Sequence, residues 1–321
     1  MLNAAQMALF DLGDDRLELL THDTQGSAAG AASAAQAAIN DGAQIILGPL
    51  LAAEVEAVKP IAGSAHIPVV AFSTAMQLAG DGVYLMGFSP AQEVARVTNY
   101  AHAQGRQNFA VLAPRSPYGE VVADAVRAAV SAAGANLVRV EFYDASINDM
   151  ASAVRRFAGE GHEFDALFLP EGDGRLKALA PQLPYFNIDP SQVKFLGTGL
   201  WDEPGLGTEP SLDGAWYAAP DPQSRAGFEK RYRDLYKTAP PRLATLGYDA
   251  TALAAVVARA PQGADFSPPT LTNPNGYAGI DGIFRLRPDG QVQRGLAVLE
   301  VHRGGGTVID PAPQTFEHIG Y

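Results

Sequence analysis

The serine and lysine residues of this sequence form no pattern that supports nucleophilic catalysis. Residues 87–91 (GFSPA) are similar to a nucleophile elbow, but the final glycine is missing, and Ser89 followed by Pro90 is typical of a helix start. Residues 191–194 (SQVK) have the spacing of a serine–lysine pair, which needs both side chains on one helical face. A proline precedes that segment and a β-rich run follows, so no helix is expected. We therefore predict no catalytic residue and no enzyme.

Metal ions and organic cofactors also lack a binding pattern. The six histidines show no HxH or HExxH spacing, and the absence of cysteine excludes thiolate ligands, disulfides and cysteine nucleophiles. Residues 197–199 (GTG) lack the third glycine of a dinucleotide-binding fingerprint, and no Walker-type phosphate loop occurs. We predict neither a metal site nor a cofactor.

The charge of the chain excludes other classes of partner. The sequence has 23 Lys+Arg against 35 Asp+Glu, a formal net charge of −12, and the basic residues are scattered. Nucleic-acid binding and polybasic membrane association both need a basic patch, so neither is expected. No apolar run approaches the roughly 18–20 residues that a membrane span requires. The 321 residues, 47% of them hydrophobic, are enough for about two globular domains.

The remaining candidates are polar and aromatic residues at or just after the ends of predicted strands, where open parallel sheets bind their ligands. For any one polar residue, a helix cap or a turn is an equally good explanation. An aromatic ring at such a position can stack on a ligand, and packing against its own domain is the alternative for both Tyr118 and Trp201. The candidate ligand-binding residues are Pro49, Leu50, Ser73, Thr74, Ser116, Tyr118, Glu171, Gly199 and Trp201.

These positions depend on a regular alternation of short β-rich runs with alanine-rich helical stretches. Most of the β-rich runs are continuously apolar, which is typical of strands buried on both faces of a parallel sheet. The alternation predicts α/β domains. Strands are expected at residues 17–23, 43–48, 67–72, 83–88, 108–113, 136–143, 165–170 and 193–198, and helices at 1–15, 28–39, 52–61, 90–103, 119–133 and 150–157.

The pattern changes from about Asp221. Two helices are predicted in succession, at residues 224–237 and 243–260. A Pro-Asp-Gly turn at residues 288–290 then predicts a hairpin, in which residues 282–290 pair with the run 294–306.

Several segments resemble the leucine-binding-protein family of type I periplasmic binding proteins. They are residues 43–74 (AQIILGPL and onward) and 106–143 (RQNFAVLAPRSPYGE and onward), and the likeness covers essentially the whole chain in order. Its most specific element is the strand–xxxYG–helix at Ala113–Glu120. The runs FLGTGLWDEP, AWYAAPDP and RLATLGYDATALAA more narrowly resemble the outer-membrane lipoprotein activators of penicillin-binding proteins.

The resemblance implies an α/β type I periplasmic-binding-protein fold: two Rossmann-like lobes joined by three crossovers, with a ligand cleft between them. Crossovers near residues 88–89, 219–220 and 293–294 would give a first lobe of 1–88 plus 220–293 and a second lobe of 89–219 plus 294–321.

The resemblance also implies a non-catalytic periplasmic protein that binds a small molecule. Two functions remain open. The first is a regulator of peptidoglycan synthesis, partnered by a penicillin-binding protein and anchored to the outer membrane through an upstream segment. The second is the receptor of an ABC importer for amino acids or similar solutes, partnered by an ABC permease.

Two departures from the family pattern concern the ligand. In amino-acid-binding members, hydroxyls and amides of lobe one hold the carboxylate, a ring from the YG element covers the ligand, and an acid from lobe two pairs with the ammonium. Here Tyr118 fills the aromatic position and Ser73-Thr74 can supply hydroxyls, but residues 50–53 (LLAA) carry none. Gly199 stands where the acid is expected.

Glu171 or Asp202 would have to replace that acid, because a buried ammonium without a counter-charge is costly. Because both departures argue against a standard amino acid, we expect a different ligand.

A third departure concerns the start of the sequence. Family members begin with a strand before the first helix, whereas this sequence begins within that helix. A missing central strand would leave unpaired backbone groups on both sides of a gap. The hypothesis is that the gene product starts upstream, with an export signal and the strand; direct pairing of residues 17–23 with 44–48 would contradict it.

Overall fold

The computed structural model describes residues 1–12, 16–144, 147–159, 163–203, 205–260 and 263–317. The chain divides into two compact units. The first comprises Met1–Gly87, Pro222–Gly295 and the described residues from Gln314 onward, and the second comprises Phe88–Asp221 and Leu296–Pro313. The chain crosses from the first unit to the second after Gly87 and returns to the first after Asp221. The sequence analysis placed these two crossovers after residues 88 and 219. The tail from Gln314 belongs to the first unit, whereas the sequence assigned it to the second.

The elements follow one another in the alternation expected of an α/β protein. The helices are α1 (Leu2–Leu12), α2 (Ala28–Asn40), α3 (Ala52–Ser64), α4 (Pro90–Ala103), α5 (Pro117–Ala132), α6 (Ile147–Gly159), α7 (Asp173–Leu179), α8 (Gln182–Tyr185), α9 (Pro222–Tyr236), α10 (Ala244–Ala258) and α11 (Pro268–Leu271). The strands are β1 (Ile46–Leu47), β2 (Val69–Ala71), β3 (Val83–Leu85), β4 (Asn108–Pro114), β5 (Asn136–Tyr143), β6 (Ala166–Phe168), β7 (Lys194–Gly197), β8 (Trp216–Ala219), β9 (Tyr277–Gly279), β10 (Gly282–Leu286), β11 (Val292–Arg294), β12 (Ala297–His302) and β13 (Gly305–Asp310).

The first unit contains two small sheets. Strands β1, β2 and β3 form a parallel sheet in that order, with Val69 paired to both Ile46 and Val83. Its core joins Val55 and Val58 of α3 to the alanines of α2 and to the buried side chains of β2 and β3. Strands β9, β10 and β11 form an antiparallel sheet. The first helix, α1, packs against α10, the alanine-rich helix of the same unit.

The second unit is built on one seven-stranded sheet, in the order β13-β12-β8-β7-β6-β4-β5. Strands β4 to β8 are parallel, and β12 and β13 add an antiparallel edge. Along β4, Phe109 and Val111 pack with α4 and α5, whereas Ala110 and Leu112 pack with α6 and α7. This alternation places helices on both faces, which explains the continuously apolar sequence of the strand. The predicted α/β class with parallel sheets is confirmed.

Three local predictions were wrong. Residues 17–23 form no strand, and the strand expected at 43–48 is reduced to Ile46–Leu47. The hairpin that turns at residues 288–290 pairs β10 with β11, while β12 pairs with β8 and β13 in the other unit. A strand needs a hydrogen-bonded neighbour, and the sequence of one segment does not reveal which neighbour it has. Nowhere in the described ranges is there a helix long and apolar enough to span a bilayer.

Candidate ligand-binding site

The YG element is positioned by the tight passage from β4 into α5. Ser116 caps the helix, since its Oγ accepts a hydrogen bond of 3.1 Å from the N–H of Gly119, and Pro117 occupies the first turn. A Cβ at Gly119 would collide with the carbonyl of Pro114, so only glycine lets the helix start this close to the strand. Ser116 therefore has a structural role, as its capping alternative predicted, and the turn fixes the direction of Tyr118.

Tyr118 points back to the end of β7. Its hydroxyl lies 2.8 Å from the Oγ1 of Thr198, a residue with no exposed surface. Burial, with a smaller effect from the negative charge of Glu93, raises the pKa of Tyr118 well above its usual range. The phenol is therefore neutral at physiological pH, and its ring and its hydroxyl remain at the carboxyl ends of two parallel strands.

A buried carboxylate reaches the same place from α4. Glu93 is only 5% exposed, and its Oε2 accepts a hydrogen bond of 2.9 Å from the N–H of Gly199. A Cβ at Gly199 would overlap the carboxylate oxygens of Glu93. A carboxylate therefore lies beside position 199, where an acid was expected, but it belongs to residue 93. The sequence signal was an acid in the first turn of a helix, which is normally explained by the helix dipole alone.

Glu171 follows β6 and is engaged within its own unit. Its Oε1 accepts hydrogen bonds from the Tyr143 hydroxyl at 2.8 Å and from the Arg175 Nε at 2.9 Å, and the residue is 7% exposed. Burial raises the pKa of Tyr143 above its usual range, and the hydrogen bond to Glu171 raises the pKa of Arg175. Because Arg175 already neutralises this carboxylate, Glu171 is a poor replacement for the missing acid.

Trp201 belongs to the hydrophobic core. It is 1% exposed, its Nε1 donates a hydrogen bond of 2.9 Å to the carbonyl of Glu171, and its ring lies over the Cα of Gly197. The ring of Tyr217 is 6.2 Å away, centroid to centroid. Of the two interpretations left open for Trp201, the structure favours packing over stacking on a ligand.

The candidates of the first unit follow β1 and β2. A cis peptide bond joins Gly48 to Pro49, and the carbonyl of Pro49 accepts a hydrogen bond from Phe72. Leu50 is 38% exposed and Thr74 is also exposed. Ser73 is buried, and its Oγ accepts a hydrogen bond of 3.2 Å from the N–H of Ala75, which is the turn role considered for it.

The N-terminus of α3 already holds a carboxylate of the protein. Glu54 is 3% exposed; its Oε2 accepts a hydrogen bond from the N–H of Leu51 at 3.2 Å, and its Oε1 accepts one from the Thr24 hydroxyl at 2.7 Å. A helix N-terminus favours anions, and here Glu54 supplies the anion. A ligand carboxylate therefore has little to gain at this helix N-terminus.

The structure thus divides the predicted residues into one set per unit. Pro49, Leu50, Ser73 and Thr74 follow the strands of the first unit, and Ser116, Tyr118, Glu171, Gly199 and Trp201 follow those of the second. Within the second set, Tyr118 and Gly199 are brought together with Thr198, the polar residue that directly follows β7, and with Glu93, which the sequence analysis did not single out. Among the described side chains, no cluster of His, Asp or Glu has the arrangement of a metal site.

Comparisons with known proteins agree with this architecture. Residues 1–306 match the periplasmic binding protein family. A protein assigned to a branched-chain amino acid ABC transporter of Rhodospirillum rubrum is 21% identical, with a TM-score of 0.80 over 96% of this chain and 94% of that one. A solute-binding protein of an ABC transporter from Rhodopseudomonas palustris BisB5, solved with 3,4-dihydroxybenzoic acid, is 20% identical, with a TM-score of 0.69 over 97% and 90% of the two chains.

A match to a curated protein sequence covers a smaller part of the chain. An uncharacterized protein of Rickettsia prowazekii (strain Madrid E) is 22% identical over 158 residues, which are 47% of this chain and 42% of that protein. The alignment spans less than half the length of this curated relative.

The two structural neighbours, at 20% and 21% sequence identity, establish the fold of the chain, which is the type I periplasmic-binding fold.

Proposed function

The chain belongs to the periplasmic binding protein family, and on that premise we propose that it is the periplasmic receptor of an ABC importer. It binds a small amino-acid-like solute and hands it to a permease, without catalysing a reaction. The observation that carries this function is the group formed by Tyr118, Thr198 and Glu93 at the carboxyl ends of β4 and β7. Ligands of open parallel sheets bind at such strand ends.

The regulator of penicillin-binding proteins was the first prediction from the sequence. Both structural neighbours reported above are described as parts of ABC transporters, which supports the alternative, the importer receptor. No feature of the described residues favours the regulator over it.

The chemistry around Glu93 supports a ligand with an amino group. A buried carboxylate gains most from a cationic or strongly donating partner, and a charge-assisted hydrogen bond contributes about 1.5–3 kcal/mol. The neutral ring of Tyr118 beside it supplies an apolar surface and a hydroxyl. This arrangement answers one of the two departures from the amino-acid-binding pattern, the absence of an acid at position 199; the lack of hydroxyls at residues 50–53 is unchanged.

A thermal-shift screen tests the proposal. The compounds are the twenty standard amino acids, aromatic carboxylates such as 3,4-dihydroxybenzoate, and peptidoglycan-derived muropeptides. Binding stabilises the folded protein by RT ln(1 + [L]/Kd), about 2.7 kcal/mol at a hundredfold excess over Kd. We expect an upward shift with one or a few amino acids. A shift with muropeptides alone would instead support the regulator and contradict the importer receptor.

A further inference from the structure

Two neighbouring strands of the seven-stranded sheet send their connections to opposite faces. Strand β4 continues into α5, which packs on one face with α4, and strand β6 continues into α7, which packs on the other face with α6. The two strands are hydrogen-bonded neighbours and run parallel. Their carboxyl ends are therefore a topological switch point, and open parallel sheets bind ligands in the crevice at such a point.

The segment after β7 connects the two sides of this crevice. On the β4 side, the hydroxyl of Tyr118 lies 2.8 Å from the Oγ1 of Thr198. On the β6 side, a Cβ at Gly172 would lie 3.3 Å from the Cβ of Leu200. The loop between β6 and α7 therefore borders the same segment that Tyr118 and Glu93 contact.

Arg175 supplies a positive charge on the β6 side. Its Nε donates a hydrogen bond of 2.9 Å to the Oε1 of Glu171, and the hydroxyl of Tyr143 donates one of 2.8 Å to the same oxygen. The side chain of Arg175 is 41% exposed, whereas that of Glu171 is 9% exposed. The buried acid thus fixes the orientation of the guanidinium, and the guanidinium forms the accessible surface of the pair.

The carboxylate of an amino-acid-like solute finds little to bind it in the first unit. Residues 50–53 carry no hydroxyl, and the carboxylate of Glu54 already occupies the N-terminus of α3. A guanidinium suits a carboxylate, because its planar N–H groups form charge-assisted hydrogen bonds that are roughly twice as strong as neutral ones. A cation held in place at the switch point of the second unit can take over this role.

We propose that Arg175 recognises the carboxylate of the solute. Glu93 and Arg175 then provide a negative and a positive charge at the carboxyl edge of one sheet, which complements the ammonium and the carboxylate of an amino acid. Glu171 and Tyr143 act as positioning residues, because they orient the guanidinium through Glu171. This inference rests on the proposed function and narrows the solute to one that carries a carboxylate.

Calorimetric titration with matched pairs of compounds tests the role of Arg175. Each of the twenty standard amino acids is compared with its α-carboxamide, and 3,4-dihydroxybenzoate is compared with its amide. At about pH 6 an amino acid and its amide both keep a charged ammonium, so they differ only in the negative charge. The wild type should bind at least one carboxylate at least about tenfold more tightly than its amide, and in Arg175→Gln this preference should fall to about twofold or less.

Two further variants separate recognition from a purely structural ion pair. Arg175→Gln leaves the buried Glu171 without its cation, which is costly, so Glu171→Gln/Arg175→Gln removes both charges and should lose the preference to the same extent. Arg156→Gln is the matched control. Arg156 also pairs with an acid, Glu141, at 3.1 Å and is 51% exposed, but it lies in the last turn of α6. This variant should keep the wild-type preference for the carboxylate.

The outcomes distinguish this inference from the proposed function. Amino-acid binding without a preference for the carboxylate, or with a preference that is unchanged in both Arg175 variants, overturns the role of Arg175 and leaves the importer receptor in place. Arg175-dependent binding of 3,4-dihydroxybenzoate alone supports the role of Arg175 and contradicts a receptor for amino acids. A wild type that binds none of these carboxylates overturns both.

Discussion

The carboxylate of Glu93 accepts a hydrogen bond of 2.9 Å from the backbone N–H of Gly199. A side chain at position 199 would occupy the space of that carboxylate, so the glycine and the acid are complementary parts of one arrangement. It joins the first turn of α4 to the end of β7 and places a negative charge beside Tyr118.

Substituting Gly199→Ala tests this complementarity. The methyl group has to displace Glu93, and overpacking of this kind costs about 1–3 kcal/mol of unfolding free energy, measured by urea denaturation. In the double variant Glu93→Ala/Gly199→Ala the cost of the methyl group should largely disappear. Gly174→Ala in α7 is the matched control, because a Cβ there meets nothing within 4 Å. Equal losses at positions 199 and 174, or strict additivity in the double variant, would contradict the arrangement.

Tyr118 is expected to act in binding through its ring. Tyr118→Ala should weaken the affinity for the solute identified in the screen by about 1–3 kcal/mol, because a stacking aromatic surface is lost. Tyr118→Phe removes only the hydroxyl near Thr198 and should lower the free energy of unfolding by about 1 kcal/mol. Its loss of affinity should be smaller than that of Tyr118→Ala, because the ring remains. Tyr185→Ala serves as the control, since Tyr185 is 79% exposed on a different helix of the same unit. Affinity that does not change in a folded Tyr118→Ala variant removes Tyr118 from the site.

Trp201 is expected to affect stability and not binding. Trp201→Phe removes the hydrogen bond to the Glu171 carbonyl and leaves that buried acceptor unsatisfied, which costs about 1–3 kcal/mol. Urea denaturation should show this loss, while calorimetry on the folded variant should give an unchanged Kd. A higher Kd with an unchanged free energy of unfolding would instead favour the interpretation that this ring stacks on a ligand.

The pH dependence of stability should reflect Asp249. This residue of α10 is 1% exposed, and burial raises its pKa to about 7, with Asp281 adding to the shift, from an ordinary value of 3.8. Between about pH 4 and pH 7 the unfolded chain releases this proton while the folded chain keeps it. The free energy of unfolding should therefore fall as pH rises through this window, and this contribution should be constant above it.

Asp249→Asn keeps an oxygen acceptor for the Ile280 N–H and should remove the part of the slope of unfolding free energy against pH that Asp249 causes. Burial also raises the pKa of Glu203 to about 7, so Glu203→Gln should reduce the same slope separately. Denaturation series from pH 4 to 8 measure the contributions of Asp249 and Glu203 to the pH dependence. The series compare the wild type, both single variants and the double variant. A slope that survives in the double variant would show that other groups cause it.

The sequence predicted those elements whose boundaries are marked by local chemistry. Helix α4 begins and ends where expected, at Pro90 and Ala103, because a proline in the first turn marks its start; Ser89 stands at the N-cap position without a capping hydrogen bond from its side chain. Strand β5 spans Asn136–Tyr143 as predicted, since a glycine turn precedes it. Residues 17–23 show the limit of this method: their composition favours a strand, but strand formation depends on a neighbour elsewhere in the chain.

In the candidate site, too, features with local sequence signals could be predicted and features that depend on distant residues could not. The turn that holds Tyr118 could be predicted, because Ser116, Pro117 and Gly119 are local signals of a helix start. The approach of Glu93 to Gly199 could not, since 106 residues separate them and each has an ordinary local explanation. Trp201 was ambiguous because burial, which decides between packing and stacking, is a property of the folded unit.

Calorimetric titration of the wild type and Glu93→Gln with the twenty standard amino acids tests the central claim most directly. The account predicts that at least one amino acid binds the wild type and that Glu93→Gln weakens this binding at least about tenfold, the equivalent of about 1.4 kcal/mol. Glu163→Gln, at an exposed residue that precedes the amino end of β6 in the same unit, controls for the loss of one negative charge. The absence of any amino-acid binding, or equal affinities for wild type and Glu93→Gln, would contradict a receptor that recognises an amino group through Glu93.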